Sequence, residues 1–89
     1  MGAAAAAIRN LEAQLALQQS VIAQERADIA ATQASLTFAR QDHARYQNLE
    51  RSGYGTVQRA EQAEALLNQK TAELARGQAG LVAAERKVE

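Results

Sequence analysis

Ile8, Leu15, Ile22, Ile29 and Leu36 recur every seven residues within a stretch, residues 3 to 51, that contains neither glycine nor proline. His43 takes the next place in the series. A strict spacing of seven keeps one stripe of a helix turned towards a partner helix, so it specifies a coiled coil rather than an isolated amphipathic helix. At 1.5 Å per residue the stretch makes a rod of roughly 70 Å. The companion position, three residues further on, holds Leu11 and Ala39, with Gln18, Glu25 and Thr32 between them. The first helix therefore carries one strong apolar row beside a weak one.

A second row begins after the glycines. Ala60, Leu67, Leu74, Leu81 and Val88 again step by seven, and Ala63 and Ala84 stand at companion positions with Lys70 and Gly77 between them. Gly53 suits the position just past a helix C-terminus, where a left-handed backbone is needed. Thr56 suits the N-cap of the next helix, because its hydroxyl can accept from a first-turn amide. Only Tyr54 and Gly55 lie between them. So short a connection makes antiparallel neighbours. The expected fold is all-α: an antiparallel two-helix coiled-coil hairpin, helix 1 about 4–51 and helix 2 about 57–88, forming a single domain with its tip near residues 50–57. The seam is expected to contain Ile22, Ile29, Leu36, His43, Leu67, Leu74, Leu81 and Val88. Pairing like row with like row sets Leu36 against Leu74, Ile29 against Leu81, Ile22 against Val88 and His43 against Leu67. That register is centred on Gly55. It leaves the apolar row of residues 8–22 largely uncovered in cis, which favours self-association or marks a hairpin excised from a longer protein.

Composition narrows the chemistry. Alanine is about a quarter of the 89 residues, proline, cysteine and tryptophan are absent, and Phe38, Tyr46 and Tyr54 are the aromatics. Burial stabilises by roughly 25 cal/mol per Å² of apolar surface, and few large side chains are present to supply it, so a compact single-core globule is not expected. Ten basic and ten acidic residues are intermixed and cancel. Without a basic stripe, no nucleic-acid partner is expected. No apolar run approaches the ~20 residues that span a bilayer. With one histidine, no cysteine and no phosphate loop, no enzyme activity, cofactor or metal is expected. The pairs Glu61/Glu64 and Glu25/Asp28 lack the histidine or cysteine of a good ligand set and read as solvated faces. His43 reads as a polar layer that helps fix register.

Arg45 and Leu49 are different. They are four apart and share a helix face, and that face is turned well away from the seam. Phe38 lies on the same side. Two readings stay open on spacing alone. Arg45 pairs with Asp42 and Leu49 packs on Tyr54 or Val57 over the turn, or the two residues face a partner.

The segment Arg45-Tyr46-Gln47-Asn48-Leu49, followed by a glycine turn and Thr56, resembles the hairpin tip of the periplasmic adaptor proteins. These are the membrane fusion proteins, or HlyD/EmrA-like family, of tripartite efflux pumps (including those of multidrug resistance) and type I secretion systems. The family's tip motif is an arginine, a leucine four residues on, and a serine seven after that. Arg45, Leu49 and Thr56 occupy those places, with threonine for serine. The flanks, LTFARQDHARYQNLERSGYGTVQRAEQAEALL, are also similar. The resemblance implies a non-enzymatic transport element in the periplasm, from a parent protein anchored in the inner membrane of a Gram-negative bacterium. Arg45, Leu49 and Thr56 would touch a TolC-like outer-membrane channel. Other copies would complete a ring, and domains outside this chain would engage an inner-membrane transporter. It also implies that helix 2 continues in the full protein, covering Ile8 and Leu15.

Overall fold

The computed structural model describes Gly2–Val88, leaving aside the side chain of Val88. It consists of two helices, α1 (Gly2–Arg51) and α2 (Val57–Val88), packed antiparallel over the length of α2. The hairpin is 78 Å long and about 15 Å across. The expected hairpin and both helix boundaries near the tip are met, and α1 begins two residues earlier than anticipated.

Long helices of this composition need little help from their caps, since alanine, glutamine, leucine and arginine lose little on entering a helix. The hydroxyls of Ser20, Thr32, Thr37 and Thr71 donate to carbonyls four residues back and so keep their hydrogen bonds local.

The seam rows fall where the heptads place them. Leu36 and Ala39 of α1 and Ala60, Ala63 and Ala84 of α2 are the fully buried residues among those described. Ile22, Ile29 and His43 on one helix, and Leu67, Leu74 and Leu81 on the other, are half-buried. Val88, the last expected seam residue, has a side chain outside the described residues.

The register differs from the expected one. A Cβ on Gly77 would sit 3.2 Å from Ile29 Cγ1, and one on Gly80 would sit 3.3 Å from Glu25 Oε2. Ile29 thus lies against Gly77 rather than Leu81, one helical turn away, and the register is centred on Gly53. The reason is the spacing itself. Along α1 a seam residue is followed by its companion after three residues and the next seam residue after four. Reading α2 in reverse exchanges the threes and fours. The steps of two antiparallel helices match only when the strong row of one faces the weak row of the other.

This register sets large against small. Ile29 lies against Gly77; carried along both helices, the same register sets Ile22 opposite Ala84, His43 opposite Ala63 and Tyr46 opposite Ala60, with Leu67 opposite Ala39 and Leu74 opposite Thr32. Glycine in a helix costs about 1 kcal/mol relative to alanine, and at Gly77 that cost secures close approach of Ile29. The register sets Leu36 opposite Lys70, whose amine lies 3.3 Å from Glu73 Oε2. Its aliphatic stem is left to cover apolar surface.

Polar groups close the remaining gaps. Gln18 Nε2 donates to Ala84 O across the helices at 2.9 Å. Arg26 and Glu85 approach to 3.7 Å, but both are well exposed and such a pair adds little. Below Gln18 the row meets α2 at Lys87, which shares a concavity with Leu11 and Leu15, and Ile8, Leu11 and Leu15 remain exposed, as do Leu17 and Val21 beside them. No helix of the described residues is long and apolar enough to cross a membrane.

Candidate functional site at the hairpin tip

The tip is built by backbone hydrogen bonds. Gly53, at φ +82°, is the glycine that turns left-handed. Tyr54 N donates to Leu49 O at 2.9 Å and Gly53 N to Glu50 O at 3.1 Å, the paired bonds of a Schellman C-cap. Gly55 N adds a third, to Leu49 O at 3.0 Å. On the other side Thr56 Oγ1 accepts from Arg59 N at 3.2 Å. Thr56 is therefore the N-cap of α2, as its position suggested. The connection leaves few polar backbone groups free and holds the two helix ends in one geometry.

Gly55 is required by space rather than by φ. A Cβ there would meet Leu49 Cβ at 2.9 Å, Glu50 N at 3.0 Å and Leu49 C at 3.1 Å. The Gly55 backbone lies directly over Leu49. Leu49 is half-buried for this reason, and not through Tyr54, whose side chain is 86% exposed. Val57 is also exposed. Of the readings open for Leu49, a cap over Tyr54 or Val57 meets two exposed residues, and the close approach on Leu49 is that of the Gly55 backbone.

Arg45 is held from two sides. Its Nη2 donates to Asp42 Oδ1, and its guanidinium carbon lies 5.2 Å from the centroid of the Tyr46 ring. Stacking on an aromatic face orients a guanidinium and leaves its outer N–H groups free. The Arg45 side chain remains 63% exposed, while that of Asp42 is only 18% exposed. Asp42 sits in the crevice between the helices, near Tyr46, Arg59 and Leu66. It is the part of this arrangement that spacing did not single out beyond a surface ion pair. The available sign was its position one place before the seam residue His43.

Arg45 and Leu49 line one shallow concavity with Gln41, Ala44, Asn48 and Ser52. Phe38, Gln41, Asp42 and Arg45 line a second one next to it. Thr56 is exposed at the turn and lines neither. The structure thus brings Arg45 and Leu49 together and sets Thr56 apart, at the base of α2. Among the described residues, no group of three or more histidine, cysteine, aspartate or glutamate side chains is placed to hold a metal ion. No family model matches the sequence, and no curated protein or solved structure matches it significantly.

Proposed function

We propose that the chain is the hairpin of a periplasmic adaptor, a non-enzymatic element that docks its tip on a TolC-like outer-membrane channel. Parts of a longer protein would link it to an inner-membrane transporter. The placement of Arg45 and Leu49 carries this reading. They stand side by side, off the seam, at the closed end of a 78 Å rod. Arg45 offers its fork of donors to carbonyls or a carboxylate on the channel, and Leu49 fills an apolar notch beside them. Thr56 holds the turn rigid, so little order is lost on docking. One tip presents a small area, and affinity rests on several copies of a ring engaging together. Efflux and protein export are both served by such a contact.

Substituting Arg45→Asp in the full-length adaptor is expected to lower channel recruitment and export at least about tenfold, one such contact being worth 1.4 kcal/mol or more. The helical signal of the 89-residue chain is expected to stay unchanged. Export at the normal level in that variant would count against the assignment.

A second reading has its own observation. Ile8, Leu11 and Leu15 form an exposed apolar row at heptad spacing, which fits a self-associating coiled coil. Light scattering of the 89-residue chain is then expected to show a mass that rises with concentration and falls back in Leu11→Glu/Leu15→Glu. A constant monomer mass would remove this reading for the isolated chain.

A further inference from the structure

We infer that Asp42 is the positioning residue of the tip: it ties the Arg45 guanidinium to the paired helices, so that Arg45 meets a partner already oriented. The inference rests on the docking role proposed above and names the group that readies that site.

An arginine on a helix surface samples many rotamers, and a partner that binds it must order it. Ordering one such side chain lowers affinity by a factor of about 2–12. Arg45 is exposed, yet its guanidinium has two neighbours. Nη2 donates to Asp42 Oδ1, and the central carbon lies 5.2 Å from the centroid of the Tyr46 ring. Neither neighbour is a free surface group. The Asp42 side chain is only 18% exposed, and it lines the crevice between the helices with Arg59, Gln62 and Leu66 of α2. Tyr46 is half-buried and lines the same crevice. An exposed pair three residues apart ordinarily contributes little, because both ends must be ordered. Here the carboxylate end is walled in by α2, so the pair restrains the arginine end.

Asp42 joins two surfaces. It lines the inter-helix crevice and also a concavity that it shares with Arg45, while Arg45 lines in turn the concavity of Leu49. The pose of Arg45 therefore depends on α2 being packed on α1 at the tip end of the seam, where Ala60 and Ala63 are buried. Charge decides the sign of the effect. Asp42 both holds Arg45 and offsets its charge. Arg59 lines the crevice beside Asp42, so one carboxylate stands with two guanidiniums and the cluster keeps a net charge of +1. Asp42 takes one of the five N–H donors of Arg45 and leaves the others to a partner's acceptors. Charge at such an exposed site is screened within about 8 Å at physiological salt. Removing Asp42 thus adds little attraction and loses the hold on Arg45, which weakens docking.

The test compares Asp42→Ala with Asp42→Asn, which keeps an acceptor oxygen for Arg45 and removes the charge. Nitrogen relaxation at Arg45 Nε in the 89-residue chain reads the hold directly, without any partner. Arg45 is expected to be more ordered than the exposed Arg40 in the wild type and in Asp42→Asn, and as mobile as Arg40 in Asp42→Ala. Docking is read with the chain immobilised densely on a biosensor, so that several tips act together, and a detergent-solubilised TolC-like channel as analyte. Asp42→Ala is expected to weaken binding about fivefold and Asp42→Asn less than about twofold, by the same factors at low and high salt. Equal mobility of Arg45 in the wild type and Asp42→Ala would overturn the inference. So would unchanged or tighter binding by Asp42→Ala, or equal effects of the two variants that vanish at high salt, the mark of charge alone. If Arg45→Asp still abolished binding in any of those cases, the docking role would stand. Absence of binding by the wild-type chain, or equal binding by Arg45→Asp, would overturn both.

Discussion

Replacing Leu36 by alanine is expected to cost the hairpin about 2–5 kcal/mol. The melting midpoint should fall by about 10 °C or more, since each kcal/mol moves a domain of this size by about 4–8 °C. Among the described residues Leu36 is the one large side chain that is buried, the others being Ala39, Ala60, Ala63 and Ala84. Its opposite number in the register is Lys70, which cannot fill the space because its amine is drawn to Glu73. The neighbouring layers, Thr32 with Leu74 and Ala39 with Leu67, are already small on one side and have no bulk to move in. Leu15→Ala is the control. Leu15 is 45% exposed, so its loss removes far less buried surface than that of Leu36, and alanine is the better helix former. That change is expected to stay within about 0.5 kcal/mol. Thermal melts followed by the helical signal at 222 nm decide the matter. Similar midpoints for the two variants would mean that the buried layer at Leu36 does not hold the helices together.

How far the sequence carried the fold can be seen at single residues. Five apolar positions at a spacing of seven define a seam without any knowledge of its partner, because helical period and burial suffice. Gly53 and Thr56 mark the helix ends because only certain residues suit a left-handed backbone or an N-cap. The register was not legible in the same way. Matching Ile29 to Leu81 pairs bulk with bulk. The structure pairs Ile29 with Gly77, because antiparallel helices share layers only where their three-and-four steps coincide. Gly77 is an unfavourable helix residue until the opposing isoleucine is known, and sequence spacing does not supply that fact. At the tip, the face shared by Arg45, Leu49 and Phe38 follows from 100° per residue. The covering of Leu49 does not. It depends on where the chain passes after the turn, and thus on φ at Gly53. The depth of Asp42 depends on how closely α2 approaches, which is again a property of the paired helices and not of α1.

The two tip glycines should separate cleanly by mutation. Gly53 has a positive φ and open space around it, while Gly55 has an ordinary φ and no space. Gly53→Ala forces a left-handed alanine, at about 1–2 kcal/mol, and changes nothing that it touches. Gly55→Ala drives a methyl group into Leu49 Cβ and into the backbone of Leu49 and Glu50, atoms that no rotamer change can move away. The start of α2 must shift, and the bonds from Tyr54 N and Gly55 N to Leu49 O stretch or break. Overpacking at about 1–3 kcal/mol, with up to two hydrogen bonds at about 0.5–1.5 kcal/mol each, gives an expected loss of about 2–4 kcal/mol. Backbone amide shifts in Gly55→Ala should change from Asn48 to Val57, whereas in Gly53→Ala they should change only beside the substitution. A Gly55→Ala chain that melted above Gly53→Ala, with the Leu49 amide unmoved, would mean that the loop backbone is not what fixes Leu49. The consequence for docking follows directly. The backbone at Gly55 both closes the apex over Leu49 and turns its free surface to the flank. If the chain docks as proposed, a variant that lifts this cover frees Leu49 from that orientation and should weaken channel binding even though Arg45 and Leu49 are intact.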